Sequence, residues 1–163
     1  MAKLKILTGA NNLILRKKSE AVKAAEISGK KLSKLIKDMR DTLGANDLGL
    51  AAAQVGSSVR VCLVRLNSGT NQARVIVMIN PEIAPAGRET EIAEEGCLSL
   101  PEVWVRVERK KNITVKFLDV KGAEQVLTLE NLNARVIQHE IDHLDGILIV
   151  DKGTAAVGKK TIL

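Results

Sequence analysis

The chain has 163 residues and a formal net charge of +6, with 45% hydrophobic and 27% charged residues. These values predict one soluble, globular domain that is large enough to bury its own core. No apolar run approaches the ~20 residues of a membrane-spanning helix. One Trp, one Phe and no Tyr argue against a base-stacking surface for nucleic acid. We therefore expect neither a membrane partner nor a specific nucleic-acid partner.

The cysteine count favours a reducing compartment. Cys62 and Cys97 are the only two cysteines, whereas secreted domains usually carry several paired ones. The basic N-terminal segment lacks the continuous apolar stretch of a secretory signal, although its lack of acidic residues leaves a transit peptide open. We expect a cytoplasmic protein with both thiols reduced.

The first predicted helix spans residues 28–43. Its apolar residues recur at helical spacing, with charged residues between them. These residues are Leu32, Leu35, Ile36, Met39 and Leu43. Ser28 is a plausible N-cap and Gly44 a plausible stop. A loop rich in small residues is predicted to follow, from Gly44 to Gly56.

Strands are predicted at residues 59–66, 74–79, 103–118 and 124–129, where apolar residues alternate or cluster. The third stretch is long enough for a hairpin, with its turn near residues 110–112. A second helix is predicted at residues 130–144, ending at Gly146. Because helices do not separate the strands, the order predicts an α+β fold: antiparallel sheets around the second helix, with an N-terminal helix. We expect one catalytic domain over residues 1–150 and a short, at best partly ordered tail over residues 151–163.

The strongest chemical signal is the segment HEIDH at residues 139–143. His139 and His143 lie four residues apart, so one helix face presents both imidazoles to a single metal ion. They are also the only histidines in the chain. Glu140 is placed to act as a general base beside such an ion. An ordinary helix with two packed histidines is the alternative, which the charges of Glu140 and Asp142 make less favourable.

A third metal ligand must come from upstream. Catalytic sites usually use three protein ligands, but no His or Glu follows His143. This argues against metallopeptidases that take their third ligand downstream. A thiolate is a suitable soft donor. Cys62 lies within a predicted buried strand, whereas Cys97 lies between Gly96 and Pro101, which favours Cys97 as the ligand.

The segment of residues 47–56 fits the same kind of site. Its small residues allow close backbone approach to a ligand, and Gln54 offers an amide donor. Taken alone, the segment is better explained as an ordinary loop with an alanine-rich helical turn.

Together, DLGLAAAQ at residues 47–54, EGCLS at 95–99 and HEIDH at 139–143 resemble the peptide deformylases. That family has the ordered motifs GxGxAAxQ, EGCLS and HExDH, and the resemblance runs from about residue 4 to residue 150. Three motifs in order are far more specific than any one of them.

The resemblance implies a metal-dependent hydrolase that removes the N-formyl group from the N-terminal methionine of nascent polypeptides and releases formate. The implied metal ligands are Cys97, His139 and His143. Glu140 would be the general base and then the acid, while the Gln54 amide and the Leu98 backbone N–H would form the oxyanion hole. The implied substrate-binding residues are Leu48, Gly49, Glu95, Trp104, Leu132 and Val136.

The resemblance also implies one divalent metal ion, Fe²⁺ in the cell, with Zn²⁺ or Ni²⁺ able to occupy the site. The implied partners are formyl-methionyl nascent peptides and, transiently, the ribosome. Two alternatives remain: a zinc metallopeptidase that cuts internal peptide bonds, and a non-catalytic descendant that only binds metal or ribosomes. Loss of Glu140 or Gln54 would support the descendant, but both are present.

Three positions depart from the family pattern. Asp47 replaces the first Gly of the first motif, and Trp104 stands where many members have an Arg. The chain also ends soon after the last motif, without the long C-terminal helix of many bacterial members. The first two departures concern substrate contacts and the third concerns ribosome docking, so none affects the expected chemistry.

Overall fold

The computed structural model describes residues 3–157, and its first helix follows a stretch of coil and turns over residues 3–23. The helix predicted over residues 28–43 is confirmed as α2 (Lys30–Thr42), and a short helix that was not predicted, α1 (Ala24–Ile27), precedes it. Gly29, rather than Ser28, is the N-cap of α2. On the inner face of α2, Leu32, Ile36 and Met39 are buried. Burial of this apolar stripe attaches α2 to the core.

The larger of two sheets has five strands, in the order β1-β2-β3-β6-β7, and every neighbouring pair is antiparallel. Its strands are β1 (Gly49–Ala51), β2 (Val61–Leu66), β3 (Arg74–Pro85), β6 (Asn112–Leu118) and β7 (Glu124–Glu130). The strands predicted at 59–66, 74–79 and 124–129 are confirmed. The loop predicted over residues 44–56 is wrong in part, because β1 and a single 3₁₀ turn, Ala52–Val55, lie within it.

The second sheet has the order β4-β5-β8, with β4 (Thr90–Cys97), β5 (Leu100–Lys110) and β8 (Gly153–Val157). The hairpin predicted within residues 103–118 is wrong, because β5 and β6 belong to different sheets. Val105 and Val107 of β5 are buried with Leu148, whereas Ile113 and Val115 of β6 face the core of the larger sheet. The chain therefore changes sheets at Lys111, and β5 instead pairs with β4, which the sequence did not predict.

The second helix, α3 (Asn131–Leu144), confirms the prediction for residues 130–144. It packs on β1 and β2 of the larger sheet and also contacts β5. Ile137 and Leu144 are fully buried, and Ala134, Val136 and Ile141 share the same core. α3 is thus held between the two sheets, and the mixed fold of antiparallel sheets and helices confirms the predicted class.

After α3 the chain forms α4 (Ile149–Lys152), which leads directly into β8. The domain boundary at residue 150 stays a prediction, and the last six residues of the predicted tail lie outside the described part of the chain. Within residues 3–157, no helix has the length and hydrophobicity needed to cross a membrane.

Candidate metal centre and active site

Three predicted metal ligands meet where the two sheets approach α3. One donor atom from each of Cys97, His139 and His143 lies within 4.8 Å of the other two. Cys97 is the last residue of β4, and both histidines lie on one face of α3. The Cys97 Sγ atom is 3.1 Å from Nε2 of His143. Cys62 is fully buried in the core around α3 and is not part of this cluster.

The electrostatics of this cluster favour a cation. Burial opposes a charge on His139, yet hydrogen bonds with Cys97 and Glu95 raise its pKa to about 10. Burial lowers the pKa of His143 well below its ordinary value, which keeps that imidazole neutral. Metal ions bind neutral imidazole and thiolate, so a bound ion would take the place of the proton on His139, whose positive charge Cys97 and Glu95 already stabilise. The donor set therefore fits a single divalent ion held by three protein ligands with a further position open.

Glu140 lies beside the ligands and is only 4% exposed. Burial raises the pKa of its carboxyl to about 7, which is a suitable range for a group that accepts and returns a proton near neutral pH. Its Oε2 atom is buried and has no hydrogen-bond partner among the described residues. Such an atom is rare in a folded protein and indicates a missing ligand or water.

Gly49 of β1 faces this carboxylate directly. A Cβ atom built on Gly49 would lie 2.6 Å from Cδ and 2.7 Å from Cγ of Glu140. Real Cβ atoms do not approach carbon so closely, so any side chain at position 49 would displace Glu140. The glycine therefore lets β1 pass beside the proposed base.

Gln54 is fixed with its NH₂ group toward the ligands. Its Oε1 accepts a hydrogen bond of 2.9 Å from the Ala51 backbone N–H. Its Nε2 lies 3.2 Å from the Ser99 hydroxyl and 3.8 Å from Cys97 Sγ. Because the side chain is only 1% exposed, these contacts leave it little freedom, and the amide is preorganised as a donor.

A cavity of about 610 Å³ opens over the ligands. The predicted oxyanion and substrate residues all border it, namely Leu48, Gly49, Gln54, Glu95, Leu98, Trp104, Leu132 and Val136. Leu98 and Leu132 remain 40% and 49% exposed, whereas Val136 is nearly buried. The residues predicted separately from three motifs therefore surround one cavity that reaches His139 and Glu140.

Asp47 and Trp104, the two substitutions that depart from the family pattern, also border this cavity. The Asp47 carboxylate accepts a hydrogen bond of 2.7 Å from the Gly44 backbone N–H, so the residue closes its own turn. Trp104 is paired with Gly96 across the β4–β5 hairpin. A Cβ atom on Gly96 would lie 3.1 to 3.3 Å from three atoms of the indole ring. The indole therefore packs over Gly96, beside Cys97.

Glu95 has a different environment from the one expected of a substrate-binding side chain. Its carboxylate is 6% exposed, accepts hydrogen bonds from Arg109 and Arg135, and contacts Nδ1 of His139. Burial alone would raise the pKa of Glu95, but hydrogen bonds from Arg109 and His139 lower it below its ordinary value. Both carboxylate oxygens are therefore occupied by Arg109, Arg135 and the predicted metal ligand His139.

The sequence interpretation missed Arg109, Arg135 and the role of Asp142 in this network. Arg109 is 3% exposed and also forms an ion pair with Asp142. The Oδ1 atom of Asp142 in turn lies 2.8 Å from Nζ of Lys152 on α4. One signal was available: Arg135 interrupts the apolar side of α3 between Leu132 and Val136. A charged residue at such a position needs a buried partner.

Comparisons with known proteins agree with this geometry. The family described as Polypeptide deformylase matches residues 3–158. A peptide deformylase of Thermodesulfovibrio yellowstonii is 46% identical over 140 residues, which cover 85% of this chain and 82% of that protein.

Two solved structures are also similar. The peptide deformylase of Thermotoga maritima has a TM-score of 0.84 at 38% identity, covering 95% of this chain and all of that chain. A class I type b peptide deformylase of Acinetobacter baumannii with bound Met-Ala-Ser has a TM-score of 0.83 at 36% identity, covering 93% and 98%. By its motifs, fold and relatives, this chain belongs to the peptide deformylase family.

Proposed function

We propose that this protein hydrolyses the N-formyl group of formyl-methionyl polypeptides with Glu140 as the proton carrier and Cys97, His139 and His143 as metal ligands. The observation that carries the proposal is the buried Oε2 atom of Glu140, which has no partner among the described residues and belongs to the residue next to the proposed ligand His139 on α3. The attacking water, and later the leaving amine, would be the partner of this atom.

The chain's own residues suffice for the proton transfers. When bound, a divalent ion supplies Lewis-acid polarisation and makes a water molecule more acidic. Glu140 accepts a proton from the attacking water, and the oxygen of that water bonds to the formyl carbon. The amide N–H of Gln54 and the backbone N–H of Leu98 donate to the carbonyl oxygen as it gains charge. Removing one such donor typically costs about 10²–10³ in rate.

Collapse of this adduct breaks the bond between the formyl carbon and nitrogen. Glu140 returns its proton to the leaving amine, so formate and a free N-terminus result. The raised pKa of Glu140, about 7, suits both directions of this transfer. Gly49 leaves the space in which the carboxylate lies.

The cavity suits an unbranched apolar side chain. Leu48, Leu98, Leu132 and Val136 provide apolar surface next to Glu140, and the flexible thioether of methionine adapts well to such surfaces. The relative that binds Met-Ala-Ser supports a peptide with an N-terminal methionine as ligand. We infer that Leu132 and Val136 contact the methionine side chain.

Formate release from a formyl-Met tripeptide tests the proposed function. The same protein is incubated with an acetylated tripeptide and with an unformylated peptide, and its bound metal is measured in parallel. We expect formate release, bound metal and no cleavage of internal bonds. Internal cleavage would support the metallopeptidase alternative, and bound metal without formate release would support the non-catalytic one.

We further propose Fe²⁺ as the metal in the cell, because one thiolate with two imidazoles lowers the net charge of the site relative to three imidazoles. Protein reconstituted with Fe²⁺ is then expected to lose activity in air as the metal and the Cys97 thiolate oxidise. Protein reconstituted with Ni²⁺ should lose activity more slowly. Activity followed over time in air and under nitrogen checks this, and equal lifetimes of both forms in air would contradict it.

Trp104 is proposed to contact the peptide downstream of its methionine. An indole offers an apolar face and one N–H donor but no charge. The enzyme should therefore prefer peptides with apolar side chains after the methionine. Because Trp104 is the only tryptophan, binding of Met-Ala-Ser should change the protein's fluorescence. Trp104→Arg should alter KM and peptide preference without changing the metal content. An unchanged emission with binding shown by calorimetry would indicate that Trp104 only covers the core.

Two features of cellular context complete the proposal. Nascent chains are made in the cytoplasm, which agrees with the two cysteines not being paired in a disulfide. A transient contact with ribosomal RNA is supported by the net charge of +6 and by exposed lysines on α2, such as Lys30 and Lys31. Sedimentation with ribosomes at low and high salt tests this contact, and binding that does not weaken with salt would contradict it.

A further inference from the structure

The carboxylate of Glu95 is divided between two groups on α3. Its Oε1 accepts a hydrogen bond of 2.8 Å from Arg135 NH1, and its Oε2 lies 3.0 Å from Nδ1 of His139. Arg135 and His139 are four residues apart, so they are neighbours on one helix face. Glu95, which belongs to β4, thus closes a bridge between them.

Arg109 of β5 also holds this carboxylate. It holds one edge of Glu95 through Nε and NH2, each at 2.9 Å, while its NH1 pairs with Asp142. Arg135 approaches Oε1 as a second guanidinium and also donates to the backbone oxygens of Val107, at 3.0 Å, and Glu91, at 2.7 Å. Arg135 of α3 therefore contacts the backbone of β4 and β5 as well as the Glu95 carboxylate, which contacts His139.

The two histidines differ in whether their Nδ1 atom has a hydrogen-bond partner. Nδ1 of His143 is buried and has no hydrogen-bond partner within residues 3–157, whereas Nδ1 of His139 has Glu95. A partner on the second ring nitrogen fixes the tautomer and orientation of a metal-binding histidine. The orientation of His139 therefore depends on the placement of Glu95.

We propose that Arg135 is a positioning residue of the metal centre, which holds Glu95 against Nδ1 of His139 so that Nε2 of His139 faces the ion. This inference rests on the proposed metal ligands of the deformylase. Arg135 acts through Glu95, and its side chain is not required to touch the reacting atoms. The competing explanation is that Arg135 only stabilises the packing of α3 on the second sheet.

The test measures cobalt release, which does not depend on turnover. The Co²⁺-loaded protein is mixed with excess chelator, and both the release rate and the visible absorption of the bound ion are recorded. Loss of a partner that orients a metal ligand typically weakens metal binding about 10- to 100-fold. We expect Arg135→Met to release Co²⁺ about tenfold faster and to shift the absorption bands, because His139 changes its orientation.

Arg60→Met is the matched control. Arg60 is also a largely buried guanidinium, and it binds Asp145 beyond the other end of α3 and the Pro81 backbone oxygen, but not Glu95. This variant should have a lower melting temperature and the parent's cobalt release rate. Equal acceleration in both variants would show that helix packing alone sets the rate and would overturn the proposal.

Two further variants keep the test decisive. Arg135→Lys retains the charge but lacks the planar fork of donors, so it should fold and still release Co²⁺ faster than the parent. In a Glu95→Gln background, Arg135→Met should add little, because the partner it acts through has changed. A parent-like rate in a folded Arg135→Lys variant, or fully additive effects in the double variant, would overturn the proposal. Failure of the deformylase function would appear separately, as absent formate release by the parent.

Discussion

Cys97→Ala is expected to remove both the metal and the activity. The Cys97 sulfur is one of the three donors that cluster within residues 3–157, and two histidines hold a catalytic ion poorly. Metal per protein, measured after exchange into metal-free buffer, should fall to background, and formate release should become undetectable. Because Cys97 is half-buried at the end of β4, the fold should survive, which circular dichroism can verify.

Cys62→Ala is the matched control for this experiment. Cys62 is fully buried in the core around α3, so its loss should lower the free energy of unfolding by about 1 kcal/mol. Its metal content and turnover should remain those of the parent. Metal retained by Cys97→Ala, or lost equally by both variants, would exclude Cys97 as a ligand.

Glu140→Gln is expected to retain metal and lose nearly all turnover. The amide has almost the shape of the carboxylate but cannot accept a proton from water. General acid–base catalysis contributes about 10²–10⁴-fold, and kcat should fall by that factor while KM changes little. Steady-state formate release and metal analysis measure the two effects in the same preparation.

Glu124→Gln provides the same substitution at a surface position, where Glu124 pairs with Lys116 and is half exposed. It should leave kcat unchanged. A Glu140→Gln variant that turns over at a rate near that of the parent would assign the proton transfer to another group. Loss of metal in this variant would instead mean that Glu140 supports the ligands.

The chemical groups of the site were more predictable than the strand pairing and the buried ion pairs around it. HEIDH places two imidazoles and a carboxylate on one helix face by spacing alone, and the lack of a downstream ligand left Cys97 as the better thiolate. These inferences depend on local geometry. The cluster of Cys97, His139 and His143 agrees with them.

Long-range pairing was not predictable in this way. Apolar residues alternate on both sides of residues 110–112, so nothing local reveals whether the chain turns back there or changes sheets, or that β4 pairs with β5. The partners of Glu95 were not predicted for a related reason, because they come from β5 and α3. The identity of a buried charge's partner depends on tertiary structure, which a single sequence does not reveal.

The proposed metal ligands lie on two separate structural units, with Cys97 on the second sheet and the histidines on α3. Cys97 and His143 are 46 positions apart in the chain. An ion bound to both would cross-link the chain and close a loop of that length. In the chain-entropy treatment of cross-links, a ring of that size removes about 4 kcal/mol of unfolded-state freedom. An ion bound at the proposed site would thus act as a reversible cross-link, and the metal concentration would set how strongly it stabilises the folded form.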